Sequence, residues 1–128
     1  MFGLILSAIL CLVPPTIDTR PLLDAMYAVE SQEGKYLVGD GGRAIGPYQI
    51  WREYWKDAVQ HDKTIGGRYE DCMDKAYSER IIRAYWSRYA PKDATIEQLA
   101  RIHNGGPNGH LRRVTLKYWK KIVKEINK

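Results

Sequence analysis

The stretch from Gly34 to Ile50 carries five glycines and Pro47. That density excludes a helix there, because an interior glycine costs about 1 kcal/mol relative to alanine and proline removes a backbone donor. Lys35 to Val38 and Ala44 to Ile50 instead read as two short strands turned by Asp40-Gly41-Gly42. On both sides the apolar spacing is helical. Asp18 or Thr19 caps a helix from Pro21 to about Ser31, with Leu22, Leu23, Met26 and Val29 on its apolar side. Trp51 to about His61 is expected as a second helix, ended by Gly66-Gly67. Asp71 to Tyr89 keeps the helical period through Met73, Ala76, Tyr77, Ile81, Ala84 and Tyr85, and Pro91 closes it. Thr95-Ile96-Glu97-Gln98 is a capping box opening a helix to His103. Leu116, Trp119, Ile122, Val123 and Ile126 mark a C-terminal amphipathic helix. The expected class is therefore α+β, mostly α, with a small β-hairpin between the first two helices.

A chain of 128 residues supports one core. With 45% hydrophobic and 27% charged residues, neither a disordered tail nor a polytopic membrane protein fits. Residues 1–16 contain no charged side chain, and the apolar run from Phe2 to Val13 stops at Pro14-Pro15. A twelve-residue helix rises about 18 Å, short of the roughly 30 Å hydrocarbon layer, so the run suits a signal peptide better than a membrane span. No Lys or Arg precedes it and no small-x-small pair marks a cleavage site, so a buried or disordered N-terminus is the alternative. The remaining residues, 17–128, are expected to form a single domain. Of the two cysteines, Cys11 lies in the apolar run, which leaves Cys72 unpaired once a leader is removed.

The net charge of +5 belongs wholly to the rest of the chain, with clusters at Arg112-Arg113 and Lys117, Lys120, Lys121, Lys124. Such a field attracts polyanions, whether nucleic acid, membrane surface or cell wall, and a solvated helix face explains the lysines equally well. Four Trp and nine Tyr against one Phe suit sugar-ring contact, since indole and phenol pair an apolar face with a polar edge. They also suit stacking of bases. Glu30 closes the first helix and is either one of the chain's solvated carboxylates or, if buried among aromatics, a group whose raised pKa makes it a general acid. Asp40, ten positions later in the hairpin turn, is either a turn former or the second of two carboxylates that glycoside hydrolysis requires. His103-Asn104-Gly105-Gly106-Pro107-Asn108-Gly109 is either a helix C-cap and turn or an exposed backbone surface for a polar ligand.

Taken in order, Glu30-Ser31, Gly46-Pro47-Tyr48-Gln49-Ile50, Tyr54-Trp55-Lys56-Asp57-Ala58, Arg83 to Tyr89, Arg101 to Gly109 and Thr115 to Trp119 resemble the motifs of the invertebrate-type (destabilase-like) lysozymes. The order Glu-Ser, Gly-x-x-Gln-Ile, Asn-x-Gly-Pro also occurs in soluble lytic transglycosylases and goose-type lysozymes. The resemblance runs from about Leu22 to Trp119. It implies a lysozyme-like fold and cleavage of the β-1,4 bond between N-acetylmuramic acid and N-acetylglucosamine in peptidoglycan. Glu30 falls on the general acid and Asp40 near the second carboxylate, with Glu33 and Asp57 as rivals because the spacer before Gly46 is short. Ser31, Tyr48, Gln49, His103 and Asn104 fall on positions lining the sugar cleft. The family is normally rich in disulfides, whereas Gly46-Pro47, Ala100 and His110 stand here where cysteines are frequent, which marks a divergent, cysteine-poor branch.

The function expected on these grounds is a secreted, monomeric muramidase acting on bacterial peptidoglycan, without cofactor or metal and without stable membrane insertion. The alternatives are a lytic transglycosylase giving 1,6-anhydro products, or a non-catalytic peptidoglycan- or chitin-binding module. Nucleic-acid binding ranks last, since no recognised motif accompanies the charge.

Overall fold

A computed structural model describes residues 17–128; the expected leader lies outside the described residues. Among the described residues five α-helices surround a core, with a small sheet on one side: α1 (Arg20–Ser31), α2 (Arg52–His61), α3 (Lys75–Tyr89), α4 (Ile96–Gly105) and α5 (Leu116–Ile126). In α1, Pro21 occupies the first turn, where its missing N–H costs nothing. Leu22, Leu23 and Met26 are fully buried, as expected from their spacing. α1 packs on α5, and α2 on α3, while α3 carries Ile81, Ile82, Tyr85 and Trp86 into the centre. Each such aliphatic side chain contributes about 1.5–3 kcal/mol by leaving water.

The glycine-rich stretch forms three strands rather than two. β1 (Val38–Gly39), β2 (Ala44–Ile45) and β3 (Ile50–Trp51) pair antiparallel in that order, Val38 opposite Ile45 and Ala44 opposite Trp51. The expected strand from Ala44 to Ile50 breaks at Gly46, which adopts φ +82° and lies so close to the Cys72 carbonyl that a side chain would collide with it. The Gln49 N–H returns to the Gly46 carbonyl at 3.1 Å, closing a turn that reverses the chain into β3.

The helix expected from Asp71 to Tyr89 is divided. Tyr69–Met73 is a 3-10 turn, and α3 starts only after Asp74, whose carboxylate accepts the Tyr77 N–H at 2.8 Å. That cap satisfies a free donor of the first turn and fixes the break. α2 ends at Asp62, ahead of Gly66-Gly67. The capping box of α4 forms as expected, Gln98 N–H to Thr95 Oγ1 at 3.2 Å and Thr95 N–H to Gln98 Oε1 at 2.9 Å. In α5 Ile122 of the expected stripe is fully buried and Trp119 packs against the core, Tyr118 joins them on the inward face, and Leu116 and Ile126 at the two ends are 38% and 40% exposed. Cys72 is buried and makes no disulfide, and burial pushes its thiol up to about 12.

One buried acid joins three parts of the fold. Glu79 of α3 receives hydrogen bonds from the Arg20 guanidinium on both carboxylate oxygens, and from the Tyr48 hydroxyl at 2.6 Å. The Arg20 hydrogen bonds, reinforced by Tyr48 and Lys75, hold Glu79 down at about 2 despite its burial.

Candidate active site

Glu30 is held at the end of α1 by a termination built from neighbouring residues. Gln32, Glu33 and Gly34 all take positive φ, and the N–H groups of Gln32 and Glu33 return to the Ala28 and Tyr27 carbonyls at 3.0 and 3.2 Å. Ser31 Oγ donates to the Tyr27 carbonyl at 3.2 Å and accepts from the Gly34 N–H at 2.9 Å. This leaves the Glu30 side chain, 17% exposed, facing His103 on α4 and Tyr118 on α5. Burial raises its pKa to about 7, and the Asp40 charge adds to the rise; the Tyr118 hydroxyl and Lys121 pull it back down. The Tyr118 hydroxyl is itself buried and has no hydrogen-bond partner of good geometry among the described residues.

His103 is a neutral imidazole. Burial lowers its pKa to about 4, with partial compensation from the Tyr48 carbonyl. Its side chain is 2% exposed. Tyr54, kept protonated by burial, donates to Nδ1 at 2.9 Å, so Nε2 carries the proton and donates to the Tyr48 carbonyl at 3.2 Å. Glu30 Oε1 lies 3.6 Å from that same Nε2, and between the His103 value of about 4 and the Glu30 value of about 7 this is a contact between two uncharged groups rather than an ion pair. Tyr54 is fixed in turn by stacking on Tyr85, ring centroids 3.7 Å apart and 9° from parallel.

Asp40 sits in the turn between β1 and β2 with φ +50°, and its carboxylate accepts the Trp51 indole N–H at 3.2 Å. Of its rivals, Glu33 is exposed and borders a separate hollow beside Pro21 and Ile126. Asp57 borders the cleft but faces Arg88 at 3.9 Å. Asp40 is the carboxylate whose charge acts on Glu30.

A cleft of about 330 Å³ runs past Gln49, Trp51, Tyr54, Tyr85, His103 and Asn104. The Gln49 amide donates to the Gly46 carbonyl at 2.9 Å and lies against Gly39, where a side chain would displace it. Gln49, His103 and Asn104 border this space. Ser31 and Tyr48 do not: both are buried with their hydroxyls engaged, Ser31 in the α1 turn and Tyr48 on Glu79. They hold the site from behind. Tyr118 and Tyr85 were not among the expected site residues. The i, i+4 pair Tyr118 and Ile122 was the available signal for the first, since it sets the inward face of α5. Larger hollows lie elsewhere, one beside His61 and Arg80 and another beside Trp86 and Pro91, neither of which includes a residue of this cluster. Among the described residues no three His, Cys, Asp or Glu side chains gather as metal ligands.

The family model described as Destabilase matches residues 21–125. A lysozyme from Ostrea edulis is 36% identical over 87 residues, covering 63% of this chain and 61% of that protein. The invertebrate-type lysozyme 6 of Caenorhabditis elegans is 34% identical over 92 residues, covering 64% of this chain and 67% of the relative. The match to the first of these spans about three-fifths of its length. Among solved structures, the Tapes japonica lysozyme superposes with a TM-score of 0.72 at 32% identity, covering 88% of this chain and 94% of the other. The Meretrix lusoria lysozyme, solved in complex with Aeromonas hydrophila PliI, gives 0.72 at 25% identity over 88% and 93%. A family match over nearly all the described residues, with the same fold in these lysozymes, shows that the chain belongs to the destabilase family of invertebrate-type lysozymes.

Proposed function

We propose that the chain is a lysozyme, a glycoside hydrolase that cuts the β-1,4 bond between N-acetylmuramic acid and N-acetylglucosamine in bacterial peptidoglycan. The observation that carries this reading is the Glu30 carboxyl, with a pKa of about 7, set beside a neutral imidazole and within the field of Asp40. With that value about half of the Glu30 carboxyls hold a proton at neutral pH, so the group can donate it to the glycosidic oxygen as the bond breaks. Asp40, exposed in the hairpin turn, serves as nucleophile or as electrostatic partner of the oxocarbenium-like centre. In the second half of a retaining reaction the Glu30 carboxylate takes a proton from the incoming water and is restored.

His103 contributes position rather than charge. Its Nε2–H is directed by the Tyr48 carbonyl and its Nδ1 by Tyr54, so it holds one wall of the acid's pocket without adding a cation that would depress the Glu30 pKa. Gln49 and Asn104 offer amide groups to the sugar, and Trp51 and Tyr54 offer ring faces and edges. The excess positive charge favours adsorption to anionic walls, an attraction that salt weakens. The enzyme works as a monomer, and the apolar N-terminal run serves as a secretion leader.

Turbidity loss of bacterial walls tests the assignment. Wild type clears the suspension and Glu30→Gln does not, while retained clearing by Glu30→Gln removes Glu30 as the acid. Released muropeptides should carry the added water of hydrolysis. Products lighter by one water would instead establish transglycosylase chemistry.

A further inference from the structure

We propose that the turn from Gly109 to Thr115, with the lysine edge of α5, is a docking surface for an anionic phospholipid bilayer. It is a second surface, outside the Glu30 cluster, and it does not depend on the hydrolytic reading. Leu111 is 73% exposed and Val114 68% exposed, an unusual placement for two aliphatic side chains three positions apart. A floppy loop does not explain it. Thr115, fully buried, donates from Oγ1 toward the Gly109 and Arg112 carbonyls at 2.7 and 2.8 Å, and accepts from Arg101 Nε at 2.8 Å. Arg101 Nη2 donates to the Arg112 carbonyl at 3.1 Å, and Arg112 Nη1 to the Gly105 carbonyl at 3.0 Å. Gly109 lies so close on the Arg101 carbonyl that no side chain fits between them. The backbone of the turn is therefore tied down from its inner side, and Leu111 and Val114 are presented outward on a fixed support.

The chain segment that carries these two residues is cationic, and the acid nearest to the turn in the bonding pattern, Glu97, is paired with Arg101 at 3.0 Å. No Asp or Glu occurs from Gly109 to Lys124, while Arg112, Arg113, Lys117, Lys120, Lys121 and Lys124 all do. Among the described residues none of these six is in an ion pair. Exposed aliphatics set among unpaired cations match an anionic leaflet, where the cations meet phosphate headgroups and the aliphatics reach the acyl boundary. A wall polymer would satisfy the cations and leave Leu111 and Val114 in water, so the lipid surface is the better complement. No described helix is long and apolar enough to cross a membrane, so the surface rests on the bilayer rather than spanning it.

Co-sedimentation of the full chain with vesicles tests this, comparing pure phosphatidylcholine with a mixture of equal parts phosphatidylglycerol. Wild type should favour the anionic vesicles, with the preference falling as salt rises. The double variant Leu111→Asp, Val114→Asp should lose about tenfold or more of that partitioning. Both chains carry the apolar residues 2–13, so any contribution of that run cancels in the comparison. The pair Arg113→Glu, Lys117→Glu should abolish the salt-dependent part, and Lys121 is left intact because its charge reaches Glu30. Turnover of soluble glycan and thermal unfolding should not change in the aspartate variant, since the replaced side chains are exposed. The proposal is overturned if wild type shows no preference for anionic vesicles, or if the aspartate variant binds them as wild type does. It is equally overturned if that variant keeps vesicle binding and loses binding to lipid-free sacculi, which would make this face a wall-binding surface.

Discussion

Replacing Glu30 with Gln should stabilise the folded protein at alkaline pH while removing its activity. In the unfolded chain the carboxyl titrates near 4.5, and in the folded site near 7. The folded state therefore binds the proton more tightly, so its stability is full below pH 4.5 and falls as pH rises through 7. The shift from 4.5 to about 7 corresponds to about 3 kcal/mol at 1.36 kcal/mol for each pH unit. This is an upper figure, because the side chain keeps 17% exposure and water can relax around the ionised form. Glutamine does not ionise, so the Glu30→Gln protein escapes the penalty. Urea unfolding of the two proteins at pH 4 and pH 8 isolates the effect, since Glu79 and His103 titrate in both and cancel. The difference between variant and wild type should grow in the variant's favour by up to about 3 kcal/mol from pH 4 to pH 8. With a urea slope of about 1–3 kcal/mol/M, that is a midpoint shift of roughly 1–3 M at the higher pH. A difference that is the same at both pH values would refute the argument. It would mean that Glu30 titrates in the folded protein as it does in the unfolded chain, and the acid role would lose its physical basis.

Three further outcomes follow from the same geometry. In wild type, wall clearing should decline as pH rises through about 7 with the loss of the Glu30 proton, and Asp40→Asn should move that decline to lower pH besides lowering the rate, because the Asp40 charge raises the Glu30 pKa. Tyr118→Phe should move the decline the other way, toward higher pH, since the hydroxyl holds the Glu30 pKa down; a pH–rate profile checks both shifts. Glu79→Gln should destabilise the fold by about 2 kcal/mol, as hydrogen bonds to a charged group are each worth about 1.5–3 kcal/mol. The Glu79 pKa is lowered to about 2, so that loss should be present above pH 4.5 and shrink as pH falls through 2 in unfolding experiments.

What was legible in the sequence was written in short range. The capping box of α4 and the proline in the first turn of α1 each depend on residues within four positions of one another, and the glycine-rich break between α1 and α2 on the composition of one continuous stretch, Gly34 to Ile50. Glu30 was legible because it combines a helix end with a two-residue motif in a fixed order among others. The third strand was not, because the close approach of the Cys72 carbonyl that only a glycine at 46 permits comes from a different part of the chain. The division before α3 escaped because the apolar spacing of Met73, Ala76 and Tyr77 runs across it, while the Asp74 cap that ends the continuity is a single polar residue. Arg20 and Glu79 lie 59 positions apart, and no local pattern links them. Ser31 and Tyr48 sit beside the site in sequence, yet their hydroxyls are spent on backbone and on Glu79 behind it.

The shortage of cysteine makes sense once these long-range contacts are considered. A disulfide stabilises chiefly by joining distant parts of the chain and restricting the unfolded state. Here the Arg20–Glu79–Tyr48 cluster joins the start of α1, the middle of α3 and the turn before β3, the parts that must stay in register for Glu30 to face His103. The Tyr48 hydroxyl donates to Glu79 while its own backbone carbonyl accepts the hydrogen bond of His103 Nε2–H, so one residue links the structural cluster to the acid's pocket. A polar cluster differs from a disulfide in leaving the unfolded chain unconstrained. Fixing the site in this chain therefore rests on native-state burial, and it weakens with acid as Glu79 protonates, where a covalent bridge would not.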